Sequence, residues 1–494
     1  MRFTPFLFLV LLPALLQAQS IRYSNFYELN NGAGGFVDGA LLDDGRLIAV
    51  GSVLNLSDNV NFYNGFHAIV DANGDELATQ GFNPIGKNFN TRSVLKTDSP
   101  NALFSAGYFC DFTVTSPGYC DFYFSRLDME SGDTLFTRII ERKDTSDVLL
   151  SMVETRPNKI MLIGWTYNDT TDANADLLFI TVDTLGNELN RVVYGGGGTD
   201  FIRPAVIADE DGDVLMTGFT RSYPSVNSGR TWVIRTDSIG NVEWHQTYSG
   251  FVGGNSGGGG ITNLLDGNFM VAGSYISSSI TNGYLMKIAP DGNMIWQKSI
   301  GIGDEGQSFW AVKELPDGTL VATGPTNVTG DGSQAGWLVK TDEIGDTLWT
   351  RTYNPSSSTD YLRNMLVMPN GDIVMVGFGR GENSSTQDGW ILRVDSMGCE
   401  IENCFSVGIE EEQKETGLSV YPNPVTDVLR VRFADNSVHS LVAITITDLL
   451  GRVVLRSSEK GNTALDVSAL KRGIYMLRTT DESGRMATVK FVRE

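Results

Sequence analysis

The chain has 494 residues, 55 of them glycine, and a net charge of −22. An acidic surface of this size repels nucleic acid and anionic lipid, and the length exceeds what one small core can organise, so two or more units are expected. Frequent glycine, together with Thr, Val, Ile and aromatic residues, favours many short strands joined by tight turns.

The first twenty residues, MRFTPFLFLVLLPALLQAQS, read as a signal peptide spanning residues 1–18. Arg2 gives the positive start, Phe6 to Leu16 is an apolar run, and Ala18 is the small residue at the cleavage site. The run is too short for a bilayer of about 30 Å, and no transmembrane segment is expected later.

From residue 19 to 405 a single pattern recurs. DGRLIAVGSV at Asp44, DGDVLMTGFT at Asp211, DGNFMVAGSY at Asp266, DGTLVATGPT at Asp317 and NGDIVMVGFG at Asn370 are clear copies, and the segments at Pro100 and Pro157 are weaker ones. Their shared glycine falls at Gly51, Gly107, Gly164, Gly218, Gly273, Gly324 and Gly377. A second element keeps phase with the first: WVIRTDSIGNVEW at Trp232, YLMKIAPDGNMIW at Tyr284, WLVKTDEIGDTLW at Trp337. Asp-Gly and Asn-Gly supply the positive φ of tight hairpins, so one copy holds four alternating strands. A lone four-stranded sheet cannot bury both faces, and its neighbours must stack on it. Seven copies of four strands predict an all-β, seven-bladed β-propeller. The N-terminal segment Ile21–Glu28 aligns with an outermost strand, so it should pair with the strand around Trp390–Asp395 and close the ring. The repeat resembles the bacterial propeller repeats of Asp-Gly-x-hydrophobic-Gly type called delta-60-like, a resemblance that implies the fold and little about activity.

Candidate sites follow the same order. Cys110/Cys120 and Cys399/Cys404 are close pairs in an exported chain and suit two sequential disulfides. The three histidines, His67, His245 and His439, lie on strands or in the C-terminal module and suit packing better than catalysis. No catalytic residue, metal or cofactor is assigned. Asp209, Asp211 and Asp213 depart from a calcium loop and read as a turn. The glycine runs Gly195–Gly198 and Gly253–Gly260 lack a phosphate-loop lysine and are expected to precede innermost strands. TDFIR at Thr199 and TDYLR at Thr359 occupy equivalent places before innermost strands. With their relatives they direct Asp147, Asp200, Arg203, Asp304, Trp310, Asp360, Tyr361 and Arg363 to one mouth of the central channel, as a ligand site for a sugar or peptide. The competing role for the aspartates is to cap loops and brace blades. If they instead faced the channel as acid and base, a polysaccharide hydrolase or lyase would be the alternative.

Residues 406–417 form a charged linker, and 418–494 return to alternating strands that predict a small Ig-like β-sandwich. Tyr421-Pro422-Asn423-Pro424, DLLGR with Gly451, LDVSALKRGIY with Gly473 and Tyr475, and the terminal KFVRE with Lys490 resemble, in order and spacing, the type A sorting domain of the type IX secretion system of Bacteroidota. The resemblance implies partnership with that translocon and sorting machinery, and release or attachment at the outer-membrane surface. The whole chain is expected to be a secreted or cell-surface monomer that binds a glycan, peptide or protein.

Overall fold

The computed structural model describes residues 22–400 apart from 29–31, 56–61, 84–87, 99, 112–118, 143–144, 168–173, 224, 249–254, 278–279, 302–305, 328–332, 357–358 and 382–385. It also describes 418–493 apart from 434–440, 449–451, 461 and 481–485. The signal segment, Asp304, Cys404, the linker, His439 and Gly451 therefore lie outside the described residues. The chain divides into two compact units, 1–404 and 405–494.

The first unit is a seven-bladed propeller. Seven four-stranded antiparallel sheets follow one another, each strand hydrogen-bonded to the next in sequence. Blades 1 to 6 cover residues 33–82, 88–140, 146–194, 200–248, 256–300 and 311–353. Blade 7 takes three strands from 361–394 and its outermost strand from the N-terminus, Tyr23–Tyr27. Tyr23 faces Arg393 and Tyr27 faces Gly389 in antiparallel register, the closure that the phase of the repeat predicts.

Each blade is built by the same local chemistry. The second hairpin turns on a glycine at positive φ, for instance Gly240 at 97° and Gly345 at 84°. The aspartate that opens this turn accepts from the backbone two and four residues on, as Asp237 does from Ile239 N at 3.0 Å and Asn241 N at 2.9 Å. Third strands carry Trp232, Trp337 and Trp390, all fully buried. Their indoles donate outward to His245 Nδ1 at 3.0 Å, Thr350 Oγ1 at 3.3 Å and Ser24 Oγ at 3.0 Å. His245 is thus an acceptor within blade 4.

Adjacent blades lock through their outer strands. A Cβ on Gly292 or Gly398 would come within 2.9 Å of the Trp244 or Trp349 ring of the preceding blade, so the repeated tryptophans pack between blades. Tyr248 Oη donates to Gly292 O at 2.6 Å and Tyr353 Oη to Gly398 O at 2.8 Å. Tyr27 Oη repeats the bond to Gly74 O at 2.7 Å, so the N-terminal strand does across the 7–1 junction what outermost strands do elsewhere. The junction is further held by Arg393, which donates to Asp372 within blade 7 and to Ala72 O of blade 1 at 2.9 Å.

One expectation changes. The glycine run at 253–260 does not simply precede an innermost strand; Gly257–Gly260 lie within it, in Ser256–Asn263. A Cβ at Gly258 would meet Thr217 Oγ1 at 1.8 Å and one at Gly259 would meet Phe309 O at 2.0 Å. Blades 4 and 6 approach this strand too closely for side chains.

The second unit packs a three-stranded sheet (Leu418–Tyr421, Val428–Phe433, Thr463–Asp466) on a four-stranded one (Leu441–Asp448, Val453–Lys460, Gly473–Thr480, Met486–Arg493). Leu429, Val431, Ile444, Ile446, Leu477 and Phe491 fill the space between, as expected of a small sandwich.

Removing residues 22–28 should lower the urea midpoint and produce self-association in size-exclusion chromatography, because the strand Asp388–Val394 of blade 7 loses its edge partner and blade 1 loses the Tyr27 bond to Gly74. Tyr27→Phe should cost about 1 kcal/mol in the same denaturation, the scale of one buried hydrogen bond.

Candidate functional site

The site is built by an irregularity shared by the innermost strands. Pairing with the second strand skips a single residue at Val37, Arg92, Leu150, Gly259 and Arg363. In blade 4 a longer break opens at Arg203, and in blade 6 Trp310 stands directly ahead of Ala311–Glu314. A β-bulge re-aims one side chain and bends the strand. Each of these residues lies 14 or 15 positions before its repeat glycine, and all seven line one cavity of about 370 Å³ on the channel.

The large members of the ring are three arginines and a tryptophan. Arg92, Arg203 and Arg363 come from blades 2, 4 and 7. Among the described residues none of them meets a carboxylate within ion-pair distance. Arg363 lies over Trp310 at 4.4 Å and over Phe378 at 5.3 Å; Arg92 Nη2 reaches Tyr108 Oη at 3.2 Å. The Arg363 side chain is open to the channel yet enclosed by its walls. That enclosure, with the positive charges of Arg92 and Arg203, pushes its pKa down to about 10. Enclosure also lowers the pKa of Arg203. Two aromatic groups complete the wall: Trp165, Phe201 and Phe219 in edge and tilted contacts at 4.8 and 5.1 Å, and Trp310 stacked on Tyr361 at 5.5 Å.

A second cavity of about 330 Å³ shares Arg203, Phe219, Gly259 and Trp310 with the first and runs out along the bare backbone of blade 5. A third, of about 190 Å³, continues along the innermost strands past Asp38, Ser93, Lys313 and Asn364. Asp38 there accepts from Ser93 Oγ at 2.9 Å, Val94 N at 3.0 Å and Asn364 Nδ2 at 2.7 Å, tying blades 1, 2 and 7. Burial raises its pKa and lowers that of Lys313.

Arg203, Trp310, Tyr361 and Arg363 are therefore brought together. Asp147, Asp200 and Asp360 do not line that cavity. Asp200 is buried and receives Thr220 Oγ1 at 2.6 Å and Ser222 Oγ at 2.7 Å. Asp360 receives Ser356 Oγ at 2.8 Å and Arg380 N at 3.2 Å, and Asp147 pairs with Arg142 at 3.2 Å. Each sits three residues ahead of its bulge and is engaged nearby: Asp200 by the second strand of blade 4, Asp147 by Arg142 from the segment between blades 2 and 3, and Asp360 by Ser356 just ahead of blade 7 and by Arg380. Arg92, Trp165 and Phe219 were not among the expected site residues; the fixed offset from the repeat glycine is the sequence signal that finds Arg92.

Elsewhere, Cys110–Cys120 is a disulfide across paired strands, with an S–S distance of 1.99 Å, and Cys399 is also disulfide-bonded. Asp209 and Asp213 both accept from Arg235 at 2.7 Å, which accounts for that acidic turn.

In the second unit Asn423 joins the motif around the prolines to the last strand: its Oδ1 accepts from Val492 N at 2.8 Å and its Nδ2 donates to Lys490 O at 3.3 Å. Tyr421, Pro422, Pro424 and Lys490 are exposed, while Tyr475 is buried and donates to Lys471 O at 2.7 Å. Gly473 opens the strand that pairs with the C-terminal one. Residues 419–494 match the family model described as the secretion system C-terminal sorting domain. The C-terminal module is a type IX secretion sorting domain. The sorting domain directs export to the cell surface or the extracellular space. No helix among the described residues is long and apolar enough to cross a membrane.

The chain matches no curated protein. Among solved structures it is similar to a catalytically inactive virginiamycin B lyase from Staphylococcus aureus with quinupristin, at 10% identity and TM-score 0.47 over 76% of this chain and 100% of that one. It is also similar to an α-L-arabinanase of Penicillium chrysogenum complexed with arabinobiose, at 11% and 0.42 over 76% and 98%. A third likeness is to PorZ, a surface component of the type IX secretion system of Porphyromonas gingivalis, at 12% and 0.23 over 95% and 86%. Likenesses this remote say nothing of activity, and the propeller rests on its own strand pairing.

Beside Asp147, burial and the negative charges of Asp147 and Glu141 push the pKa of Asp121 up to about 6. A carboxyl whose folded pKa exceeds its unfolded one holds its proton better in the native state, so its contribution to stability falls as pH rises from 3.8 through about 6. Asp121→Asn should therefore gain on the parent between pH 4 and pH 7 in urea midpoints; an unchanged or reversed difference would contradict this origin.

Proposed function

We propose that the propeller, residues 19–405, is a binding module that holds a glycan, peptide or protein ligand at the arginine and aromatic mouth of its channel, carried outside the cell by the sorting domain of residues 418–494. The proposal extends to a signal peptide over residues 1–18, a linker over 406–417 and function as a monomer in a member of the Bacteroidota. The observation that supports it is the ring around the channel: three guanidiniums with no carboxylate partner among the described residues, and a tryptophan, around a cavity of about 370 Å³, a size usual for ligand sites. Binding is favoured over hydrolysis because Asp147, Asp200 and Asp360 are occupied by neighbouring side chains and no described carboxylate lines that cavity.

The test is a glycan and peptide array probed with the mature chain and with Val37→Trp, which fills the chamber from blade 1 and alters no arginine. Ligands of the mouth should lose at least about tenfold in affinity, the loss of roughly 1.4 kcal/mol. Hits indifferent to the substitution would place binding elsewhere and overturn the reading. Deleting residues 490–494, which removes the strand that Asn423 grips, should leave the protein inside the cell envelope in fractionation, with no mature chain outside.

A further inference from the structure

Resting on the mouth as a binding site, we infer that the channel chamber takes the C-terminal carboxylate of an extended peptide whose last side chain is apolar or aromatic. The charge comes first. Three guanidiniums from blades 2, 4 and 7 share one small cavity with no carboxylate beside them among the described residues, in a chain of net charge −22. Enclosure, then the repulsion of Arg92 and Arg203, lower the pKa of Arg363, and a bound anion offsets the clustered positive charge. The planar fork of arginine matches a carboxylate with two parallel hydrogen bonds.

The rest of the lining narrows the class. Apart from the arginines it consists of apolar or aromatic side chains, such as Leu150, Trp165, Phe219 and Trp310, and Gly259. Among the described residues it contains no neutral hydrogen-bonding side chain other than the indoles. A sugar ring would bury its hydroxyls there without partners, at a cost. One anion on an apolar body fits, and aromatic walls suit an aromatic terminal side chain.

The approach is polar where the chamber is not. The adjoining cavity of about 330 Å³ follows Gly257–Gly259, whose backbone carries no side chains, and is edged by Asn255, Ser256, Ser274 and Thr281. The hydroxyls and the amide supply donors and acceptors that a peptide main chain needs, while Gly258 and Gly259 are buried against the neighbouring blades. The chain would lie over blade 5 and end at Arg203 and Arg363.

The experiment titrates the mature full-length chain with three probes: acetyl-Ala-Ala-Phe with a free carboxylate, the same peptide as its C-terminal amide, and a galacturonate trisaccharide. Tryptophan fluorescence and calorimetry read binding. The acid form should bind at least about tenfold more tightly than the amide, the worth of a charge-assisted hydrogen bond, and should weaken with salt. Arg203→Met and Arg363→Met should each abolish the preference for acid over amide, and Arg363→Lys should keep part of it. Equal binding of acid and amide, or an acid preference that survives both methionine variants, overturns the inference. So does tighter, arginine-dependent binding of the trisaccharide, which would make the ligand an anionic glycan and leave the mouth reading standing. Absence of binding by every probe at millimolar concentration also overturns it, while the Val37→Trp comparison judges the mouth independently. Should a methionine variant lose cooperative unfolding, the acid–amide comparison on the parent decides.

Discussion

Everything in the first unit depends on the fact that a four-stranded sheet with two apolar faces cannot be stable alone. Leu162 and Leu178 on one face of blade 3 belong to the core shared with blade 2, while Met161, Ile163 and Phe179 on the other belong to the core shared with blade 4. Burial of this kind stabilises by roughly 25 cal/mol per Å², and each blade obtains it only from two neighbours. A row of blades would leave two faces in water; a ring leaves none. Closure is accordingly assigned to the segment that can supply it without disturbing any blade: the N-terminal strand, already in phase as an outermost strand.

The same ring forces the site. Innermost strands converge on the axis, where space is least, and a strand with one excess residue bends and turns that residue inward. The five bulges, the longer break in blade 4 and Trp310 ahead of the first strand of blade 6 set six side chains and a bare glycine around one channel. Blade 5 shows the limiting case, in which side chains are removed altogether and the neighbouring backbones close in.

Much of this was legible in the sequence. The Asp-Gly turns fixed the hairpins, the spacing of Gly51 to Gly377 fixed the count, and the alignment of Ile21–Glu28 with the outermost strands gave the closure. The sorting domain was legible because Tyr421–Pro424 and Lys490–Glu494 keep their order although 65 residues separate them; Asn423 and the last strand show why the two ends travel together. The site was only partly legible. Arg203 and Arg363 stand in TDFIR and TDYLR, but the aspartates of the same motifs meet partners on the next strand, such as Thr220 and Ser222, which no local pattern announces. Arg92 stands in NFNTRSV, without that motif, and becomes visible only when residues are counted back from the repeat glycine.

The central claim is that the N-terminal strand is an integral outermost strand of a closed ring. Native-state hydrogen exchange at single-residue resolution tests it most directly. The hydrogen-bonded amides within Tyr23–Tyr27 should be protected to the same degree as their counterparts in Thr347–Tyr353, the outermost strand of blade 6. Exchange of Tyr23–Tyr27 at the rate of a frayed terminus, with Thr347–Tyr353 protected, would contradict it.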